Sequence, residues 1–166
     1  MTGSQQMPEH VSASTSERPR SRKLIEDMLQ QRQQMLVLLW ELSKLDFAKV
    51  DQNIRETLEE FQEILVDYIA TGHFGLYQRI SEGTERRQSV LETAREIYPR
   101  IAKTTDVAVE FTDKYEALDA PVIEARLTTD LSTLAEEIAT RIELEDRLIL
   151  AMLGTEYIIP AQGSAA

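Results

Sequence analysis

Apolar residues recur at steps of three and four along most of the chain, the spacing that builds one buried face of a helix. The first stripe is Ile25, Met28, Leu29, Met35, Leu36, Leu39 and Trp40, which predicts a helix from about Ser21 to Leu45. A second helix is expected to start near Asp51, a residue type suited to an N-cap, and carries Ile54, Leu58, Phe61, Leu65, Tyr68 and Ile69. Thr71 and Gly72 are expected to end it, with the glycine as a left-handed cap. A short third helix, His73 to about Ser81, presents Phe74, Tyr77 and Ile80, and Glu82-Gly83 makes a turn. The next stripe is Val90, Ala94, Ile97, Ile101, Ala108, Phe111, Tyr115 and Leu118. At about 100° per residue it keeps phase across Pro99, so it predicts one kinked helix or two stacked end to end. Pro121 suits a helix start. The last stripe is Ile123, Leu127, Leu131, Leu134, Ile138, Ile142, Ile149 and Met152, ended by Gly154.

Four long amphipathic segments, short connections and no convincing strand predict an all-α fold: an antiparallel four-helix bundle with an extra short helix. Residues 22–154 make up that domain. Residues 1–21, with Ser, Thr, Gln and two Pro, are expected to be a disordered tail without the apolar stretch of a signal peptide. Residues 155–166 are expected to be a flexible C-terminal tail. The longest apolar run, Met35 to Trp40, falls far short of the roughly 20 residues of a membrane span.

Composition narrows the chemistry. The chain has 166 residues, with 29 Asp or Glu, 18 Lys or Arg, two His and no Cys, for a net charge of −11. Without Cys there are no disulfides, thiolate nucleophiles or iron–sulfur clusters, and a reducing, cytoplasmic setting is consistent. The negative charge repels phosphate backbones, so nucleic acid is not expected as a direct partner. It favours a basic partner instead, such as a protein that itself binds DNA. The excess is uneven: residues 24–80 sum to −5, 81–103 to +1 and 104–166 to −9.

Some polar residues break the stripes. Arg32 falls between Leu29 and Leu36 near the centre of the first apolar face. Glu145 projects onto the face of Leu127, Ile138 and Ile149, with Arg141 one turn away. A lone buried charge is prohibitive, so these residues either pair, as Arg32–Glu145 or Arg141–Glu145, or snorkel out at the ends of the fold. On the second helix Glu56, Glu60, Glu63 and Asp67, spaced four, three and four, form one acidic stripe with no basic residue four positions later. It is either a solvated face or a docking surface for a basic partner.

Catalytic arrangements are not supported. Paired Glu-x-x-His motifs of a di-iron bundle are absent, and Glu143, Glu145 and Asp146 lack the loop spacing of a cation site. His73 is the one histidine outside the N-terminal tail, and nothing sets a serine beside it. A histidine phosphotransfer bundle using His73 is the sharper alternative, but Phe-Gly-Leu-Tyr-Gln-Arg follows that histidine at a helix start, whereas such domains usually carry Lys and Gly after a mid-helix His. Capping or packing against Tyr77 is the favoured account of His73. No enzyme activity, metal or cofactor is expected.

The segment Leu65-Val66-Asp67-Tyr68-Ile69-Ala70-Thr71-Gly72-His73-Phe74-Gly75-Leu76-Tyr77-Gln78-Arg79-Ile80 resembles the signature of the Rsd/AlgQ family, anti-sigma regulators of sigma D. Ile142-Glu143-Leu144-Glu145-Asp146-Arg147-Leu148-Ile149-Leu150 is similar to that family's second motif, and weaker matches at Lys23-Leu24-Ile25, Arg32, Leu36-Val37 and Ile97-Tyr98-Pro99 follow in the same order. The family's usual Asp-Arg-Trp is replaced here by Glu26, Asp27 and Met28. The resemblance implies a monomeric protein that binds the C-terminal, DNA-binding region 4 of the primary sigma factor and keeps it from core RNA polymerase and the −35 promoter element. It implies Glu60, Glu63, Asp67, His73, Phe74 and Tyr77 as partner contacts, with Asp27 and Met28 of the first helix beside them. Phe74 and Tyr77 serve as aromatic anchors only if exposed; otherwise they are core. A helical adaptor for another basic protein is the remaining alternative.

Overall fold

The computed structural model describes the backbone of residues 2–160 and the side chains of residues 22–160. Residues 161–166 of the expected C-terminal tail, and the side chains of the expected N-terminal tail, lie outside the described residues. The chain is all-helical, with no strand among the described residues. Helix α1 spans Thr2–Ser43, α2 Gln52–Gly72, α3 Gln78–Ser81, α4 Gln88–Lys114 and α5 Ala120–Leu153; a π-helical turn, His73–Tyr77, joins α2 to α3. The start of the first helix is thus Thr2 rather than Ser21. Pro99 lies inside a single α4, on its exposed side, where the backbone acceptor it leaves unpaired can face water.

Local signals set the ends. Asp51 caps α2, its carboxylate accepting from the Ile54 amide at 2.9 Å. Pro121 opens α5, and Gly154, at φ 98°, closes it in a conformation that costs other residues dearly. Gly72 behaves otherwise. Its φ is −60°, so it is not a left-handed cap and the helical path runs on into the π turn.

α1 packs along α2 and α4 along α5, while α1–α5 and α2–α4 contacts are sparser. The four stripes meet in one buried cluster that includes Met35, Leu58, Ile97, Leu127 and Leu148. Trp40 departs from its predicted place: it is 55% exposed, with Lys44 Nζ 3.5 Å from its ring centroid, and Leu42 takes the buried position. Beyond Gly154, Tyr157 and Ile159 pack partly on the core, and the Arg22 guanidinium sits 5.2 Å from the Tyr157 ring centroid.

The connection from α3 to α4 is held by Glu85, a buried carboxylate. It accepts from the backbone amides of Arg86 and Arg87 at 3.1 and 3.0 Å and from Arg87 Nε at 3.0 Å, while Arg87 reaches the Met152 carbonyl at 2.6 Å near the end of α5. Burial alone would raise the Glu85 pKa; the hydrogen bonds from Arg87 outweigh it and hold that carboxyl below the usual carboxylate range. A lowered folded pKa stabilises the fold above the unfolded value, near 4.5, and that contribution is lost as pH falls through the folded one. Glu85→Gln is therefore expected to cost about 1 kcal/mol at pH 7. Urea denaturation at pH 7 and pH 3 should show the gap closing in acid; a gap of constant size would rule out the charge as its cause.

Candidate functional site

Burial of the apolar stripes carries polar side chains inward wherever they share the stripe. Arg32 on α1, Tyr68 on α2, Thr104 on α4 and Arg141 and Glu145 on α5 are all buried by this route, and they converge. Glu145 is 0% exposed. One of its oxygens accepts from the Tyr68 hydroxyl and from Arg32 Nη2 at 3.2 Å; the other accepts from Arg141 Nε at 3.0 Å. Arg32 also donates to Asp146 at 2.6 Å and, through Nε, to the Tyr68 oxygen at 3.2 Å. Arg141 Nη1 donates to the hydroxyls of Thr105 and Thr104 at 2.7 and 3.1 Å. Two guanidinium groups balance two carboxylates, and each of the four long helices supplies at least one group. Both pairings weighed from the stripes, Arg32–Glu145 and Arg141–Glu145, are present in one network.

The surroundings fix the protonation states. Burial opposes the charge on Arg32, but Tyr68, Glu145 and Asp146 hold its pKa above the ordinary value, so it stays a cation. Burial, and then the Glu145 charge, push the Tyr68 hydroxyl well above the usual tyrosine range, so it stays a donor.

The end of α2, which leads into the expected partner contacts, lies directly on this network. A Cβ on Gly72 would lie 3.2 Å from Met28 Sδ and 3.4 Å from a Glu145 oxygen, so the glycine lets the end of α2 lie close over the charged cluster. The π turn then inserts one residue into the helical count. A regular helix carrying Phe74, Tyr77 and Ile80 on one stripe would bury them together. Instead Leu76 and Tyr77 turn inward, and Phe74 is left 53% exposed. His73 is exposed beside it, its ring edge-on to Phe74 at 5.5 Å between centroids. Glu60, Glu63 and Asp67 are exposed along α2, and Asp67, seven residues before Phe74, lies about two helical turns away on that side.

Two expected contacts, Met28 and Tyr77, need correction. Met28 is fully buried and Tyr77 nearly so; both support the surface from beneath and present no area to a partner. Tyr77 stacks edge-on with Tyr98 at 5.9 Å, its hydroxyl has no hydrogen-bond partner among the described residues, and burial followed by the Glu145 charge raises its pKa. Asp27 is half-buried and faces Lys23 at 3.8 Å. The stripes did not single out Tyr68, Thr104, Thr105 or Asp146 as network members. Tyr68 carried the clearest signal, since a tyrosine centred in a buried stripe needs a partner for its hydroxyl.

The two sequence motifs at residues 65–80 and 142–150 therefore meet in space, through Tyr68 and Gly72 on one side and Glu145 on the other. Residues 7–153 match the family described as "Regulator of RNA polymerase sigma(70) subunit, Rsd/AlgQ". The chain belongs to the Rsd/AlgQ family. It is 30% identical over 138 residues to "Regulator of sigma D" of Shigella dysenteriae serotype 1 (strain Sd197), covering 80% of this chain and 85% of that protein. It is 29% identical over 141 residues to "Regulator of sigma D" of Escherichia coli O139:H28 (strain E24377A / ETEC), with the same coverage. No solved structure matches it. The family match runs from α1 to the end of α5, so it takes in every residue of the network and the surface above it. Among the described residues, no helix is long and apolar enough to cross a membrane, and no group of His, Asp and Glu is disposed to hold a metal ion.

Removing one partner of a buried ion pair strands the other. Arg32→Met is expected to lower stability by about 3–5 kcal/mol in chemical denaturation. Breaking the exposed pair of Arg147 and Glu96, 2.9 Å apart, with Glu96→Gln should change it by less than about 1 kcal/mol. Equal effects at the two sites would contradict an essential role for the buried network.

Proposed function

We propose that this Rsd/AlgQ protein is an anti-sigma factor. It binds the C-terminal DNA-binding region of the primary sigma factor, region 4, and withholds it from core RNA polymerase and the −35 promoter element. The action is stoichiometric, in the cytoplasm, by a monomer folded as an antiparallel four-helix bundle, without catalysis or a cofactor. The observation that carries this reading is Phe74, a large aromatic side chain held 53% exposed at the end of an acidic helix face. Membership of a family described as regulators of the sigma(70) subunit, and relatives named for regulating sigma D, support a sigma factor as the partner.

The division of labour follows from the chemistry. A region that binds DNA through a basic helix-turn-helix carries clustered Lys and Arg. Glu60, Glu63 and Asp67 complement that charge and steer the encounter, since exposed charges mainly set rate and specificity. Phe74, with His73 against its ring, supplies apolar area that a partner can desolvate, the role of an interface anchor. The buried network keeps α2 and the π turn in place before binding, so less ordering entropy is lost in the complex. Asp27, on α1 and facing Lys23 at 3.8 Å, is the further acidic contact this reading assigns to the first helix.

Binding to the isolated DNA-binding region of the primary sigma factor should weaken as salt rises. Phe74→Ala is expected to reduce affinity about 30-fold at any salt. Asp67→Ala should weaken binding chiefly at low salt, flattening the salt dependence. Calorimetric titration across a salt series checks all three, and an affinity indifferent to both substitutions would sink the proposed surface.

A further inference from the structure

α2 and α4 approach closely at only a few points, among them Phe61 against Phe111 at 6.2 Å between ring centroids, and a groove of about 750 Å³ lies between them. Glu59, Glu63 and Asp67 line one wall and Asp113 and Glu116 the other, and no Lys or Arg lines it. Lys114, the nearest basic residue in sequence, is turned to α5, where its Nζ lies 2.6 Å from Asp130. An acidic lining alone is common on a protein of this charge. Two further observations set this groove apart. Gln62 lies in its lining, 9% exposed; its amide nitrogen donates to the Tyr115 carbonyl at 3.3 Å, while its Oε1 is buried with no partner among the described residues. A buried acceptor left unmet is costly, and a donor entering the groove would meet it. The second is apolar: Val66, in the lining, is 51% exposed, and Val109, one turn before Asp113 on α4, is 50% exposed.

We infer that the α2–α4 groove is a docking site for a basic amphipathic helix, one that presents Arg or Lys on both sides of a short apolar residue. The basic groups lie between the two acidic walls, the apolar residue covers Val66 and Val109, and one N–H donor reaches Gln62 Oε1. The groove shares Glu63 and Asp67 with the surface that carries Phe74, so it continues that surface onto α4. This deepens the anti-sigma reading and rests on it for the natural partner: the guest helix would belong to the same basic region of sigma.

The test uses the full chain, with isotope-labelled valine methyls, and two probes. One is a synthetic amphipathic helical peptide of Lys, Arg and Leu; the other is the isolated DNA-binding region of sigma. Asp113→Asn with Glu116→Gln alters exposed positions in the groove, and Glu136→Gln with Glu143→Gln makes the same charge change at exposed positions on α5. The groove pair should weaken peptide binding about fivefold or more and the control pair less than about twofold, as local charge complementarity requires. The Val66 and Val109 methyl signals should shift on titration. Equal weakening by the two pairs, or unmoved Val66 and Val109 signals, overturns the inference. If sigma binds and Asp67→Ala weakens it while the groove pair has no effect on either probe, the anti-sigma reading stands and the groove falls. If sigma fails to bind while the peptide still responds to the groove pair, the groove stands as a basic-helix site and the sigma assignment falls.

Discussion

Glu145 is a carboxylate shut off from water, and such a charge persists only where donors surround it. Here the donors come from every direction: Arg32 from α1, Tyr68 from α2 and Arg141 from its own helix, with Arg141 tied in turn to Thr104 and Thr105 on α4. Apolar packing tolerates small slides between helices, because one methyl contact resembles the next. A buried hydrogen-bonded charge does not, since a displaced partner leaves a stranded ion. The network thus fixes how the four long helices sit against one another at one level of the fold. Replacing it by apolar residues of equal volume would not have to weaken the protein; what would go is that uniqueness of register.

The exposed surface inherits its geometry from this point. Gly72 lies within a few ångströms of Met28 and Glu145, so the end of α2 is placed by the same cluster. The π turn follows at once, and its extra residue changes which side chains face inward. Leu76 and Tyr77 are buried while Phe74 is left outside, against the ordinary preference for burying phenylalanine. The acidic stripe and the exposed aromatic ring are therefore two ends of one rigid construction, with a neutral charged cluster beneath them. That also explains why two motifs separated by more than 60 residues of chain act together: each supplies half of the contact that holds the surface.

Net charge is distributed between these roles. Glu145 and Asp146 are compensated internally by Arg32 and Arg141 and add nothing to the outer field. Glu85 is compensated in the α3–α4 connection by Arg87. Glu59, Glu63 and Asp67, with Asp113 and Glu116 across the groove, face solvent together without a basic residue in the lining.

Helical periodicity by itself determined the all-α class, the four apolar stripes, the capping role of Asp51, the stop at Gly154 and the in-phase passage through Pro99. These are short-range matters, decided by which side chains share a helix face and which residues suit a helix end. The same pattern singled out Arg32, Arg141 and Glu145, because a charge inside an apolar stripe stands out without any structure. It did not decide whether they pair or reach solvent, since that depends on what lies opposite on other helices. It misplaced Phe74 and Trp40 because a stripe drawn at 3.6 residues per turn assumes an unbroken helix and a partner along its whole length. A single π turn breaks the first assumption, and the end of a helix breaks the second. Tyr68 as a ligand of Glu145, Gly72 as a point of close approach and the groove between α2 and α4 belong to the tertiary structure alone, for each is a relation between residues that only folding makes neighbours.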